Sequence, residues 1–133
     1  MKQVEVSAAI IINNKKILCV QRGPNKFEYI SNKFEFPGGK VEFGELPSDA
    51  AIREIYEELK MTISVEREFL TVNHIYPDFK IKMHSFICST LTQELELSEH
   101  ISFQWLDKSE LKFLDWAAAD IPIVDKLIKE LER

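Results

Sequence analysis

The segment 47–59, PSDAAIREIYEEL, is the strongest helical pattern in the chain, and β-like runs stand on both sides of it. Pro47 suits a first helical turn, and Ala51, Ile52, Ile55 and Leu59 recur at helical spacing as one apolar stripe. Upstream, residues 4–12 are rich in β-branched side chains, Asn13-Asn14 marks a turn, and 16–21 continue as a second strand. Residues 23–33 read as a surface loop, 34–36 as a short extended stretch, and Pro37-Gly38-Gly39 as the turn that ends it. Downstream, 63–75 and 79–90 read as a hairpin around Pro77-Asp78, and 101–106 as a further strand. Residues 121–131 close the chain as an amphipathic helix, with Ile121, Val124, Leu127, Ile128 and Leu131 on one side. Strands before and after a central helix predict an α+β fold, a mixed sheet covered on both faces. With 133 residues, no internal repeat and no linker-like tract, one domain over 1–133 is expected.

Charge narrows the function. Seventeen Lys plus Arg against 22 Asp plus Glu give a formal charge of −5. That balance argues against gripping polymeric nucleic acid, which needs a basic stripe to release counterions, and is compatible with a cation site. Cys19 and Cys88 each lie in an apolar β-like run; they lack zinc-site spacing and make no disulfide framework, so buried, reduced thiols are expected. The first residues have no signal-peptide layout, and no apolar stretch approaches the ~18 residues of a membrane span. A cytoplasmic protein without membrane contact is the expectation.

The informative acids lie on the central helix. At 100° per residue, Glu54, Glu57 and Glu58 fall within about 100° of one another, away from the apolar stripe. Such like charges repel by roughly 0.2–0.5 kcal/mol per pair, so packing does not explain them. Ala50, one turn upstream, leaves that sector open, and Arg53 can pair with Asp49 or Glu57 at i±4. A solvated acidic face is the plain alternative. Against it stand Glu45 just before the helix and the Gly38-Gly39 turn, which lets backbone approach a ligand. Converging hard oxygen donors suit Mg²⁺, or Mn²⁺, with phosphates completing the shell.

Gly39, five residues, Glu45, seven residues and then Arg53-Glu54-Ile55-Tyr56-Glu57-Glu58 resemble the Nudix box, Gx5Ex7REUxEExGU, with U aliphatic. One position departs: Lys60 stands where the family has a helix-ending glycine, which puts the helix-end geometry in question. The likeness extends upstream to Phe34–Lys40 (FEFPGGK) and downstream to Leu114–Pro122 (LDWAAADIP), which are similar to the MutT and CTP-pyrophosphohydrolase branch. The resemblance implies an α/β/α Nudix sandwich that splits a nucleoside triphosphate into the monophosphate and pyrophosphate with Mg²⁺. A Nudix-fold module that senses a nucleotide without cleaving it is the rival, disfavoured because all three box acids are present.

By the same resemblance, Glu54, Glu57 and Glu58 are metal ligands, with the Gly38 carbonyl a further one. Glu54 is also a candidate for positioning or deprotonating water. Arg53 orients carboxylates, and Glu45 is a structural partner. Glu99, before Trp105, matches an additional acid used as ligand or base; among Glu94, Glu96 and His100 it reads equally as a solvated loop charge. Arg22 and Lys40 match basic positions that meet phosphates, with surface ion pairing as the alternative. Phe34, Phe79 and Trp116 are candidates to stack on a base, or core. His74, His84 and His100 have no metal-ligand spacing and read as strand or surface residues. Asp120 occupies the place beside the nucleobase, or caps the final helix. An ionised Asp only accepts hydrogen bonds, which favours CTP, dCTP or a 5-substituted dCTP, with 8-oxo-dGTP as alternative. A small nucleotide is the expected partner, for a monomer or homodimer.

Overall fold

The computed structural model describes residues 1–130. Its strands are β1 (Gln3–Asn13), β2 (Lys16–Arg22), β3 (Phe34–Glu35), β4 (Gly38–Lys40), β5 (Ser64–Ile75), β6 (Lys80–Ser89) and β7 (His100–Leu106). The helices are α1 (Pro47–Leu59) and α2 (Ile121–Glu130), with short 3-10 segments at Lys108–Phe113 and Ala118–Asp120. All seven strands belong to one sheet, ordered β3-β2-β1-β6-β5, with β4 on β1 and β7 on β2. The β1–β6 ladder is parallel and the other pairings are antiparallel, so the sheet is mixed as expected.

Period-2 alternation along β1 and β2 divides the core between two faces. Ala8, Ile10, Ile17 and Cys19 pack with Ile123, Val124 and Leu127 of α2. Ala9, Ile11, Leu18 and Val20 pack with Ala51, Ile55 and Leu59 of α1. A helix therefore covers each face. Both cysteines are free and buried, and burial pushes each thiol up to about 12. Among the described residues, no helix is long and apolar enough to cross a membrane.

Several local expectations change. Gly38 and Gly39 are not a turn but strand β4, paired with Ala8 and Ser7 of β1. A side chain at Gly38 would overlap the Ser7 carbonyl, so glycine there lets two strands lie close. Ile52 is 37% exposed while Ala50 is fully buried, so α1 turns Ala50 rather than Ile52 inward. The Ser7 hydroxyl fixes this start by donating to the Pro47 carbonyl at 2.6 Å. On α2, Ile123 takes the buried place assigned to Ile121, which is exposed; Leu131 lies outside the described residues.

The departure at Lys60 is resolved as a left-handed helix end, φ 56° and ψ 34°, whose N–H donates to the Tyr56 carbonyl at 3.0 Å. A non-glycine residue there is strained by about 1–2 kcal/mol, which exceeds the roughly 0.5–1 kcal/mol of entropy that a glycine loses on folding. Lys60→Gly should therefore raise the melting temperature by about 2–4 °C in a thermal melt. A lower melting temperature would show that Lys60 supports the helix end, through its ammonium contact with the Glu57 carbonyl at 3.3 Å.

Candidate active site

Arg53 organises the carboxylates of α1. Its Nε and Nη2 donate to the two oxygens of Glu45 at 2.8 and 3.0 Å, and Nη2 also reaches the Lys40 carbonyl at 2.9 Å. Its Nη1 donates to Glu54 Oε1 at 2.9 Å and to Glu57 Oε2 at 3.3 Å. Of the two partners expected at i±4, Arg53 takes Glu57 and not Asp49, and it adds Glu45 from the loop before α1. The Arg53 guanidinium holds the Glu45 carboxyl down at about 2, and Glu45 raises Arg53 in return. This bidentate pair ties the loop before α1 to the helix and fixes the orientation of Glu54.

Glu58 points the other way, into a cleft lined by Glu99, Glu35, Gly38, Arg22 and His100. Burial, then the charges of Glu99, Glu54 and Glu35, push its carboxyl up to about 8. Glu99 is therefore part of the acidic site and not an isolated loop charge. Among the described residues no three acidic, histidine or cysteine side chains already share one coordination centre. The donor chemistry nevertheless fits a hard divalent cation: Glu99, Glu54 and Glu35 lie close enough to oppose the ionisation of Glu58, and a cation would relieve that.

A second cavity, of about 260 Å³, adjoins the cleft. Apolar and aromatic walls from Phe36, Tyr76, Phe79 and Met83 meet the polar groups Arg22, Lys40 and Asp120. Of the residues assigned from sequence to the substrate, Arg22, Lys40, Phe79 and Asp120 line this cavity. Phe34 does not: it lies in the core on the same side of the chain as Phe36, and only Phe36 reaches the cavity wall. Trp116 stacks on Phe36 with ring centroids 4.7 Å apart, and its indole N–H is used by the Leu111 carbonyl.

Asp120 does not cap α2. Its Oδ1 accepts from the Phe36 N–H at 3.0 Å, and the residue is 4% exposed. Burial, reinforced by Glu35, pushes its carboxyl well above the usual range. Burial thus favours the protonated form of a carboxyl that the sequence reading took as an acceptor only, and Oδ1 is already engaged by the Phe36 N–H.

Sequence reasoning missed Glu35, Tyr76 and His100. Glu35 binds both Arg22 and His100. Its signal was the alternation of Phe34, Glu35 and Phe36, which puts one acid on the face opposite two phenylalanines. Tyr76 accepts the Ala119 N–H at 2.9 Å through its hydroxyl and carries no sequence signal. His100 is a strand residue, the first of β7, as the plain reading has it, but it is not at the surface, since its side chain is 6% exposed. His74 and His84 do fit the plain reading: one packs on Tyr76, and the other pairs with Glu5.

A family model described as NUDIX domain matches residues 1–127. The 8-oxo-dGTP diphosphatase of Escherichia coli K12 is 30% identical over 96% of this chain and 98% of its own length. The CTP pyrophosphohydrolase of the same organism is 32% identical over 94% of this chain and 91% of its own. Among solved structures, the DNA mismatch repair protein MutT (family Nudix hydrolase) of methicillin-resistant Staphylococcus aureus 252 is 40% identical. It superimposes with a TM-score of 0.75, covering 98% of this chain and 99% of that one.

Proposed function

We propose that this chain, which belongs to the Nudix family, is a nucleoside triphosphate pyrophosphohydrolase acting on 8-oxo-dGTP in preference to CTP. The carrying observation is the place of Asp120, buried in the wall of the second cavity with Oδ1 already taken by the Phe36 N–H. Oδ1 accepts from the Phe36 N–H and burial raises the carboxyl toward its protonated form, so in this reading the remaining oxygen offers a proton. A donor at that point suits a base edge with a carbonyl, as an oxidised guanine presents. A cytosine would have to turn its ring nitrogen or C2 carbonyl, and not its amine, toward Asp120. The 32% identical CTP pyrophosphohydrolase keeps CTP as the second reading.

In this reading the base packs against the adjoining rings of Phe79 and Tyr76, Arg22 and Lys40 meet phosphate oxygens, and the chain runs toward the acids of α1. Glu54, Glu57 and Glu58, with Glu99 and the Gly38 carbonyl, would hold Mg²⁺ or Mn²⁺. Such a cation supplies charge neutralisation at the phosphates and an activated water. Arg53, anchored on Glu45, keeps Glu54 and Glu57 oriented.

The test is kcat/KM for 8-oxo-dGTP, dGTP, CTP, dCTP, 5-methyl-dCTP and dTTP on wild type, Asp120→Asn and Asp120→Leu. Wild type should prefer 8-oxo-dGTP. Asp120→Asn, which keeps a neutral donor, should preserve the ranking. Asp120→Leu should lose about 10–100-fold on the best substrate, the worth of one hydrogen bond to a buried group. A wild-type preference for CTP or dCTP, reversed in Asp120→Asn, would establish an ionised, accepting Asp120 and overturn the assignment.

A further inference from the structure

The base cavity and the acidic cleft share three lining residues, Arg22, Glu35 and Gly38. A nucleotide with its base in one and its phosphates directed to the other has to pass them. Arg22 reaches this junction through a local irregularity: the β2–β7 ladder slips between Gln21 and Arg22, which sets Arg22 opposite His100. Glu35 holds the guanidinium, with Nε and Nη2 of Arg22 donating to its Oε1 at 3.2 and 3.0 Å. Its other oxygen, Oε2, lies 3.0 Å from His100 Nε2.

His100 is built into the protein in an unusual way. Its side chain is 6% exposed, and its Nδ1 is buried with no partner among the described residues. A buried nitrogen left unpaired is unfavourable, so the imidazole is a poor choice for packing alone. What an apolar residue of that size could not do is donate to Glu35. Arg22 itself is 45% exposed and has many rotamers to lose, so a fixed carboxylate beneath it removes freedom before a phosphate arrives.

We propose that His100 is a positioning residue that, through Glu35, holds the Arg22 guanidinium at the junction of the two cavities, aimed at the phosphate chain of the nucleotide. The inference rests on the nucleotide-hydrolysing reading above and adds to it a three-residue relay from β7 through β3 to β2. It concerns ground-state binding of phosphates more than chemistry at phosphorus, so its mark is on KM.

The experiment compares wild type, His100→Gln, His100→Leu, Arg22→Ala and the double variant His100→Leu/Arg22→Ala. Each is assayed on the nucleotide that wild type turns over best, with a thermal melt of each protein. Binding of the corresponding nucleoside monophosphate is measured by calorimetry without metal. His100→Leu should raise KM about tenfold, the worth of one charge-assisted hydrogen bond, with kcat within about twofold of wild type. The monophosphate should weaken in parallel. His100→Gln, whose amide can donate to Glu35, should recover most of the loss. In the double variant the KM should match that of Arg22→Ala alone. An unchanged KM in His100→Leu, or a loss that adds to that of Arg22→Ala, overturns the proposal. If His100→Leu does not melt cooperatively, His100→Asn, whose shorter amide stops short of Glu35, is judged by the same criterion. Failure of the functional reading looks different: wild type itself would release no pyrophosphate from any nucleotide in the panel.

Discussion

Glu58→Gln and Glu57→Gln should each lower kcat about a thousandfold, several kcal/mol of transition-state stabilisation, while the protein still melts cooperatively. Excess chelator should abolish turnover in wild type. Near-normal rates in both variants with chelator present would remove the acids of α1 from the chemistry. The two substitutions should separate in stability. Glu57 is exposed and paired with Arg53, so its loss is nearly neutral. Glu58 is different, because its carboxyl is pushed up to about 8 in the fold, first by burial and then by Glu99. A carboxyl raised above its unfolded value contributes its full stability below the unfolded pKa, near 4.3, and loses it as pH rises through the folded value. In metal-free protein, Glu58→Gln should therefore match wild type near pH 4 and melt increasingly higher than wild type toward pH 8. Added Mg²⁺ should narrow that gap by stabilising wild type alone. Parallel melting curves across this range would show that Glu58 is not crowded in solution.

Much of the fold was legible because local and tertiary signals agree. Pro47 and Leu59 bound α1 in the structure as in the pattern, since a proline opens the helix and the chain leaves it at the left-handed Lys60. The hairpin around Pro77-Asp78 and the strand before it follow from β-branched runs that the core then uses. Where the reading failed, the deciding contact lies far away in sequence. Gly38-Gly39 looks like a turn until β1 is brought beside it. Residues 108–113 have no long period and form a 3-10 segment closed by a reciprocal Asp107–Glu110 capping box. Asp120 shows this too: its sequence neighbours do not reveal that it is buried with Oδ1 on the Phe36 N–H, 84 residues away, or that burial and Glu35 raise its carboxyl. Ile52 and Ile121 show the same limit: an apolar stripe defines a face to within a residue, and the packing partner chooses its edge.

Gly39→Ala should lower kcat about a hundredfold with little change in melting temperature, an effect that acts through Glu54 and not through the backbone. Gly39 lies in strand β4 without a positive φ, in a conformation that alanine adopts freely. A strand glycine of that kind gains about 0.4–1 kcal/mol of stability when replaced by alanine, provided there is room. There is none, because a β-carbon at Gly39 would fall 2.7 Å from Glu54 Cγ and closer still to its carboxyl group. Glu54 is 15% exposed at its side chain and held at 2.9 Å by Arg53, so it has to abandon that hydrogen bond to make space. The glycine assigned from sequence to ligand approach thus serves to seat a carboxylate of the protein itself. A double-mutant cycle with Glu54→Ala reads this directly. Once Glu54 is truncated, adding Gly39→Ala should cost no further activity and should restore the stability that alanine brings to a strand. Wild-type turnover in Gly39→Ala would show that Glu54 needs no such seat, and a second full loss on top of Glu54→Ala would mean that the glycine serves the substrate instead.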